Sequence, residues 1–250
     1  MSFNVSVNIS DDVQIDFGKY GNAMIMGHIG SGKTYLMSFI LGNLFLKFGE
    51  NIKFYGIDPK GLELTSTLKS MGMISGNSGK EMFQIVRKVE SEMMVRYQEL
   101  RNRNISEGFN NSYPPIFLVI DELIFIKSFL TKGLKTVTDQ NKAVRDFMNI
   151  LERISVMGRQ CHVFVIVASQ YLNTDYLPLS ISENLLNRIL LGSASRQDIQ
   201  QCFGQSYNVS GKSGYCLFQN PDYQEPFQFI PYQFELNQMI QRIKRKRERM

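Results

Sequence analysis

Histidine and cysteine are scarce in this chain, with His28 and His162 for the first and Cys161, Cys202 and Cys216 for the second. An odd, widely scattered set of cysteines makes neither a disulfide framework nor a CxxC zinc pattern, so the thiols read as reduced and packed. Two histidines argue against a His-rich metal centre and against a Ser-His-Asp triad with several candidate bases. Any metal is therefore expected to arrive with another ligand. Long apolar runs are missing too: the longest, Tyr35 to Phe48, is broken by Ser38, Gly42 and Asn43 and falls short of the roughly 20 residues of a membrane helix. The opening SFNVSVNISDDVQIDF lacks the basic start and apolar run of a signal peptide, so the expected compartment is the cytoplasm.

What is present is an ordinary globular composition, 43% hydrophobic and 20% charged over 250 residues, enough for one large domain or two small ones. Net charge is only +5, but Arg242, Lys244, Arg245, Lys246, Arg247 and Arg249 crowd one end. Residues 232–250 thus read as a basic helix or tail, either solvated or meeting phosphates or an anionic surface.

Apolar runs bounded by turn residues alternate with segments of helical period, which predicts parallel strands joined by crossover helices. The strands are Ala23 to Met26, Ile52 to Ile57, Ile116 to Ile120, Val163 to Ala168 and Arg188 to Leu191. Between them, Met37, Ile40, Leu41, Leu44 and Phe48 line one helix face. Met82, Ile85, Val86, Val89 and Met93 line a second, and Val144, Phe147, Met148, Leu151 and Ile154 a third. All three stripes read as core packed on the sheet. Loops are expected at RNRNISEGFNNSYPP and from Phe129 to Gln140, and an antiparallel pair around Asn220-Pro221-Asp222. No internal repeat or linker is evident, so residues 1–250 are expected to form a single domain.

Gly27, Gly32, Lys33 and Thr34 satisfy G-x-x-x-x-G-K-[ST], with a strand before and an amphipathic helix after. Glycines let successive N–H groups turn inward around phosphate oxygens, and the helix N-terminus adds partial positive charge. Gly27, His28, Ile29, Gly30, Ser31, Gly32, Lys33, Thr34 and Tyr35 form the expected ATP cradle, His28 and Ile29 filling its free positions. Lys33 is expected to reach the β- and γ-phosphates and Thr34 to ligate Mg²⁺. IFLVIDEL then offers Asp121 at a strand end, to orient the Mg²⁺, and Glu122 as general base on the attacking water. The alternative is an acidic pair that merely caps the next helix. VIVASQ places Gln170 at the carboxyl edge of the fourth strand, where ligands of open α/β sheets bind.

These motifs, with GIDPKGLEL (Asp58, Pro59, Lys60, Leu62, Glu63, Leu64), the helix residues Glu92, Met93, Arg96 and Tyr97, and MGRQCHVFVIVASQ, resemble the motor domain of the FtsK/SpoIIIE family of double-stranded DNA translocases. The likeness runs from about Val5 to about Ile230. NRILLGSASRQDIQQCFG is similar to the conjugative-element members, while SQYL stands where the family usually has Gln-Arg-Pro. The resemblance implies a RecA-like P-loop NTPase of the ASCE class: an α/β fold with a mainly parallel sheet in the order 5-1-4-3-2, plus the C-terminal antiparallel pair and basic helix. It further implies a homo-oligomeric ring, commonly a hexamer, with ATP at subunit interfaces and Arg159 as an arginine finger on a neighbour's nucleotide. Gln170 matches the family's sensor. At this length a bare motor is expected, without the family's membrane region or winged helix.

The expected function is an ATP-dependent double-stranded DNA translocase or coupling ATPase, in plasmid or mobile-element transfer or DNA segregation. A relaxase or membrane-channel partner would recruit it to the inner face of the membrane. Lys127, Lys132, Lys135, Lys142 and Arg145 are candidates for contacting the DNA backbone, which needs charge rather than base reading; the alternative for each is ordinary surface charge. A HerA or type IV secretion-like motor shares the core. A nucleotide-gated assembly factor with little hydrolysis would have less need of Glu122, and a small-molecule kinase would carry an arginine-rich lid.

Overall fold

Alternation of apolar residues builds the first element. Val7 and Ile15 are buried on one face of a hairpin, β1 (Ser6–Asn8) and β2 (Gln14–Asp16), in which they sit opposite each other. The turn between them is closed by the Ser10 hydroxyl, which accepts from the N–H groups of Asp12 and Val13. The computed structural model describes residues 3–103, 113–171, 177–209 and 215–249. After the hairpin come α1 (Phe17–Tyr20), β3 (Ala23–Gly27), α2 (Lys33–Phe48), β4 (Lys53–Ile57), α3 (Glu63–Ser70), β5 (Ile74–Gly76) and α4 (Gly79–Asn102). The chain continues as β6 (Ile116–Ile120), α5 (Ile126–Thr131), α6 (Val137–Met157), β7 (Val163–Ser169), α7 (Leu179–Ser182) and β8 (Asn187–Leu191). It ends with α8 (Arg196–Phe203), β9 (Cys216–Gln219), β10 (Phe227–Phe229) and α9 (Leu236–Glu248).

Eight strands form one sheet in the order β10-β9-β8-β3-β7-β6-β4-β5. It is parallel from β8 to β5, and β9 and β10 add antiparallel at one edge. The five strands expected from the sequence fill its middle, in the order fifth, first, fourth, third, second. Strand residues alternate between faces, and both faces are covered. Met24 and Met26 pack with α4, α5, α6 and α8, whereas Ala23 and Ile25 pack with α2, α3, α9 and the hairpin. The helix stripes point inward as expected: Met37, Ile40, Leu41 and Leu44, the five α4 positions, and Phe147, Leu151 and Ile154 are all buried.

The expected loop from Phe129 to Gln140 is largely helix. Phe129 to Thr131 close α5, and α6 begins at Val137. Thr136 caps α6 by accepting the Asp139 N–H at 3.0 Å, an S/T-x-x-D start that polar, exposed first turns had obscured. Of the expected loop at 101–115, Arg101 and Asn102 end α4, and 104–112 lie outside the described residues. The basic end is a packed helix: α9 buries Met239 and Ile243, and Lys246 Nζ donates to the Leu46 carbonyl of α2 at 2.7 Å. Among the described residues no helix is long and apolar enough to cross a membrane.

The parallel pairing matters most for function. It brings the segments that follow β3, β4, β6 and β7 to one edge of the sheet, the carboxyl edge at which open α/β sheets hold ligands. Those segments carry Gly27 to Thr34, Asp58-Pro59-Lys60, Asp121-Glu122 and Gln170.

Candidate nucleotide-binding site

The loop after β3 depends on its glycines. Gly30 and Gly32 hold φ of 77° and 92°, the left-handed region that side chains rarely adopt. A Cβ on Gly27 would lie 2.4 Å from the Ser31 hydroxyl and 2.9 Å from the Leu191 carbonyl. Lys33 opens α2 with its side chain buried, and its Nζ folds back to donate to the carbonyls of Gly27 (2.7 Å) and His28 (3.1 Å). Burial pulls the Lys33 pKa down, against the opposing pull of Glu122 and Asp121. Ser31 Oγ is buried with no hydrogen-bond partner among the described residues. A cation turned onto its own loop and an orphaned hydroxyl are groups that a phosphate would satisfy.

Thr34 Oγ1 donates to Asp121 Oδ2 at 3.1 Å. Asp121 is pushed up to about 6, chiefly by burial and then by the charge of Asp58. Asp58 is itself buried. Its Oδ1 accepts from Lys60 N and Gly61 N, and its Oδ2 from Leu62 N, Thr65 N and Thr65 Oγ1, at 2.9–3.1 Å. One carboxylate thus shapes the whole Asp-Pro-Lys-Gly turn. Among the described residues no group of three His, Cys, Asp or Glu side chains could hold a metal alone. The oxygen pair of Thr34 and Asp121 fits Mg²⁺, which takes one or two protein ligands and fills its shell with phosphates and water.

Glu122 is fully buried and carries φ 65° and ψ 70°, a left-handed backbone that costs about 1–3 kcal/mol away from glycine. Its Oε1 accepts from Gln170 N at 3.1 Å, and its Oε2 accepts from Gln170 Nε2 at 2.7 Å and Lys60 Nζ at 3.4 Å. The carboxylate is therefore held between the ends of β7 and β4. Lys60 was recognisable as part of a pattern but not as Glu122's partner. The contact spans 62 residues and exists only because β4 and β6 are neighbours.

Other expected residues divide. His28 lies 3.3 Å from Asp198 Oδ2, and Ile29 is exposed. The Tyr35 ring lies against Phe234, centroids 4.0 Å apart. Arg159 sits in the 3-10 turn Gly158–Cys161 before β7, at the sheet edge opposite Gly27 to Thr34. The seven residues of β7 separate it from Gln170 by roughly 20 Å at about 3.3 Å per residue. Its Nη1 donates to the Lys19 carbonyl, so the chain does not bring Arg159 to its own phosphate loop. Lys127, Lys132, Lys135, Lys142 and Arg145 are all exposed on α5, α6 and the turn between them.

Residues 2–157, more than half of the chain, match the model of the FtsK/SpoIIIE family. The chain belongs to the FtsK/SpoIIIE family. The FtsK domain-containing protein YdcQ of Bacillus subtilis is 24% identical over 192 residues, covering 75% of this chain and 38% of YdcQ. The DNA translocase FtsK of Staphylococcus epidermidis is 25% identical over 214 residues, covering 78% of this chain and 25% of that protein. This FtsK/SpoIIIE-family chain thus spans between a quarter and two fifths of the length of these curated relatives. Its fold is that of the pCW3 conjugation coupling protein TcpA, solved as a monomer with ATPγS: TM-score 0.76, 20% identity, covering 96% of this chain and 71% of that one. EssC (ATPases 2 and 3) of Geobacillus thermodenitrificans is also similar, with TM-score 0.74 and 16% identity over all of this chain and 49% of that one.

Proposed function

We propose that this FtsK/SpoIIIE-family chain is an ATP-hydrolysing motor subunit acting on double-stranded DNA. The observation that carries the reading is Glu122, a fully buried carboxylate in a strained backbone, fastened by Gln170 and Lys60 beside the Thr34–Asp121 pair. A loop that only binds nucleotide has no need of a second carboxylate held in this way. Glu122 serves as general base, taking the proton of the water that attacks the γ-phosphate of ATP. Lys33 leaves the Gly27 and His28 carbonyls for the phosphate oxygens, and Ser31 Oγ gains the partner it lacks. Thr34 and Asp121 would hold Mg²⁺, which supplies positive charge to the phosphates as they separate.

Gln170 bonds Glu122 through both its main chain and its side chain. It is suited to transmit the state of the site along β7 towards Arg159 at the opposite edge. In a ring, Arg159 acts on the neighbour's ATP, in keeping with its distance from its own loop. Double-stranded DNA as the substrate rests on family membership and on relatives named as DNA translocases. A role in plasmid or mobile-element transfer rests on likeness to a conjugation coupling protein. The test is ATP turnover with and without double-stranded DNA, alongside the measured mass of the assembly. DNA-stimulated turnover by an oligomer is expected, and a monomer whose turnover ignores DNA would sink the proposal.

A further inference from the structure

Helix α4 carries two charged side chains one turn apart, Glu92 and Arg96, which the site at the carboxyl edge does not use. Side chains four apart on a helix are neighbours, yet these two reach different partners. The Glu92 carboxylate accepts from Tyr55 Oη at 2.5 Å and Lys53 Nζ at 2.8 Å, both on β4. Met93, the next residue, is fully buried in the core. α4 is thus fixed on the sheet at this point, and from that base Arg96 Nη1 donates to the Cys161 carbonyl at 2.9 Å, with the His162 carbonyl at 3.4 Å.

Those carbonyls close the turn Gly158–Cys161, which carries Arg159. His162 N donates to the Arg159 carbonyl at 3.2 Å, so one residue separates the Arg96 contact from the Arg159 backbone. The guanidinium is itself held, its Cζ lying 5.2 Å from the centre of the Tyr113 ring, while the Tyr113 carbonyl accepts from His162 Nδ1 at 2.8 Å. Little slack remains on the far side of the turn, where a Cβ on Gly158 would lie 2.4 Å from the Val163 carbonyl. Arg159 is exposed, its Nη1 on the Lys19 carbonyl and its stem along Gly21. Burial weighs against the Arg96 charge, with Glu92 the largest opposing influence. A water or a neutral amide could close a turn at less cost; what the guanidinium adds is a rigid, planar, permanently charged donor.

We propose that Arg96 is a positioning residue for Arg159, fixing the height and direction at which the Gly158–Cys161 turn presents Arg159 to the nucleotide of a neighbouring subunit. The inference rests on the reading that Arg159 acts on a neighbour's ATP. A group that stabilises a transferring phosphoryl must be held to within about 0.5 Å, and a misplacement of about 1 Å costs on the order of 10²-fold in rate. Arg96 therefore acts on hydrolysis without touching nucleotide, and it acts on the subunit next door rather than on its own phosphate loop.

The test is turnover of the full chain at saturating ATP, Mg²⁺ and double-stranded DNA, with ATP affinity followed by calorimetry. Arg96→Ala should lower kcat by about 10²-fold and leave ATP affinity unchanged. Arg96→Lys keeps the charge but not the rigid plane, so its turnover should fall between those of Arg96→Ala and the wild type. Mixing either variant with Lys33→Ala should restore part of the turnover, because the Lys33→Ala subunits supply a well-placed Arg159 to an intact phosphate loop. Mixing either with Arg159→Ala should restore nothing, since neither kind of subunit then presents Arg159 correctly. Wild-type turnover in both Arg96 variants, or in Arg96→Lys where Arg96→Ala does not fold, overturns the positioning role while a loss in Arg159→Ala leaves the role of Arg159 standing. Lost turnover that Lys33→Ala fails to restore, although Arg159→Ala mixed with Lys33→Ala recovers, makes Arg96 a support of its own chain and also overturns it. Wild-type turnover in Arg159→Ala removes the action of Arg159 on a neighbour, and this inference with it.

Discussion

Glu122 shows what a single residue can be asked to do and what holding it there costs. Its φ of 65° and its complete burial are both unfavourable for a carboxylate, and three donors from Gln170 and Lys60 offset them. Strain retained at a charged residue is a signature of a working site rather than of packing. Glu122→Gln keeps the shape and can still accept through its carbonyl oxygen, but it gives up the base. Turnover should fall by about 10²–10⁴-fold, while ATP binding, followed by calorimetry, stays within a few-fold of wild type. Lys33→Ala should instead lose the binding itself, since its ammonium is the cation within the loop; an Lys33→Ala chain that binds ATP normally would contradict the assignment. That these segments would meet at one sheet edge was legible beforehand, because Gly27 to Thr34 and Asp121-Glu122 are local motifs, each directly at the end of a buried strand. Lys60, the Asp58 turn and the facing of Tyr35 onto Phe234 were not, since each depends on which strands and segments become neighbours.

Elements differ in legibility for a similar reason. β3, β6 and β7 are buried on both faces and read as continuous apolar runs, whereas β5 is three residues long with Gly76 in it and sends no such signal. The start of α6 was hidden because Val137 to Lys142 are polar or exposed, leaving only the Thr136–Asp139 cap to announce it. Thr136→Ala should therefore destabilise the chain by about 1 kcal/mol in urea unfolding, with Thr136→Ser close to wild type; a loop at this position would make both substitutions neutral. The turn from the Gly158–Cys161 segment into β7 carries a second prediction. His162 sits at φ 59°, its Nδ1 donates to the Tyr113 carbonyl at 2.8 Å, and its Nε2 is buried with no hydrogen-bond partner among the described residues. Burial holds its pKa below the ordinary 6.5, and the nearby Arg96 adds to the effect. The unfolded chain then takes up this proton more readily than the folded one. The stability contribution is complete above pH 6.5 and is lost as pH falls from there through the lowered folded value. His162→Asn, which tolerates the left-handed backbone and does not titrate, should flatten the dependence of the urea midpoint on pH in that window. An unchanged slope would place the acid sensitivity elsewhere.

At the scale of the whole molecule, the sheet sets two groups of residues apart by its full depth. Lys33, Asp121, Glu122 and Gln170 gather at the carboxyl edge, and Arg159 stands at the amino edge, against Lys19 and Gly21. A side chain of Arg length cannot bridge roughly 20 Å of strand, so if Arg159 completes a hydrolytic site, that site belongs to another copy of the chain. This division makes a ring testable without an image of one. Lys33→Ala removes a subunit's own phosphate contact but leaves its Arg159 to serve a neighbour, and Arg159→Ala does the reverse. Each variant alone should lose hydrolysis, by about 10³-fold or more for a finger acting in trans. Mixing the two should create interfaces at which an intact Lys33 meets an intact Arg159, and DNA-stimulated turnover should partly return. The recovery should follow the mixing ratio with a maximum near equal parts and vanish in the double variant Lys33→Ala/Arg159→Ala mixed with either single. If Arg159→Ala alone keeps wild-type turnover, Arg159 is only a brace for the Lys19 turn. If mixing restores nothing while both variants still assemble, the hydrolytic site is completed from within one chain.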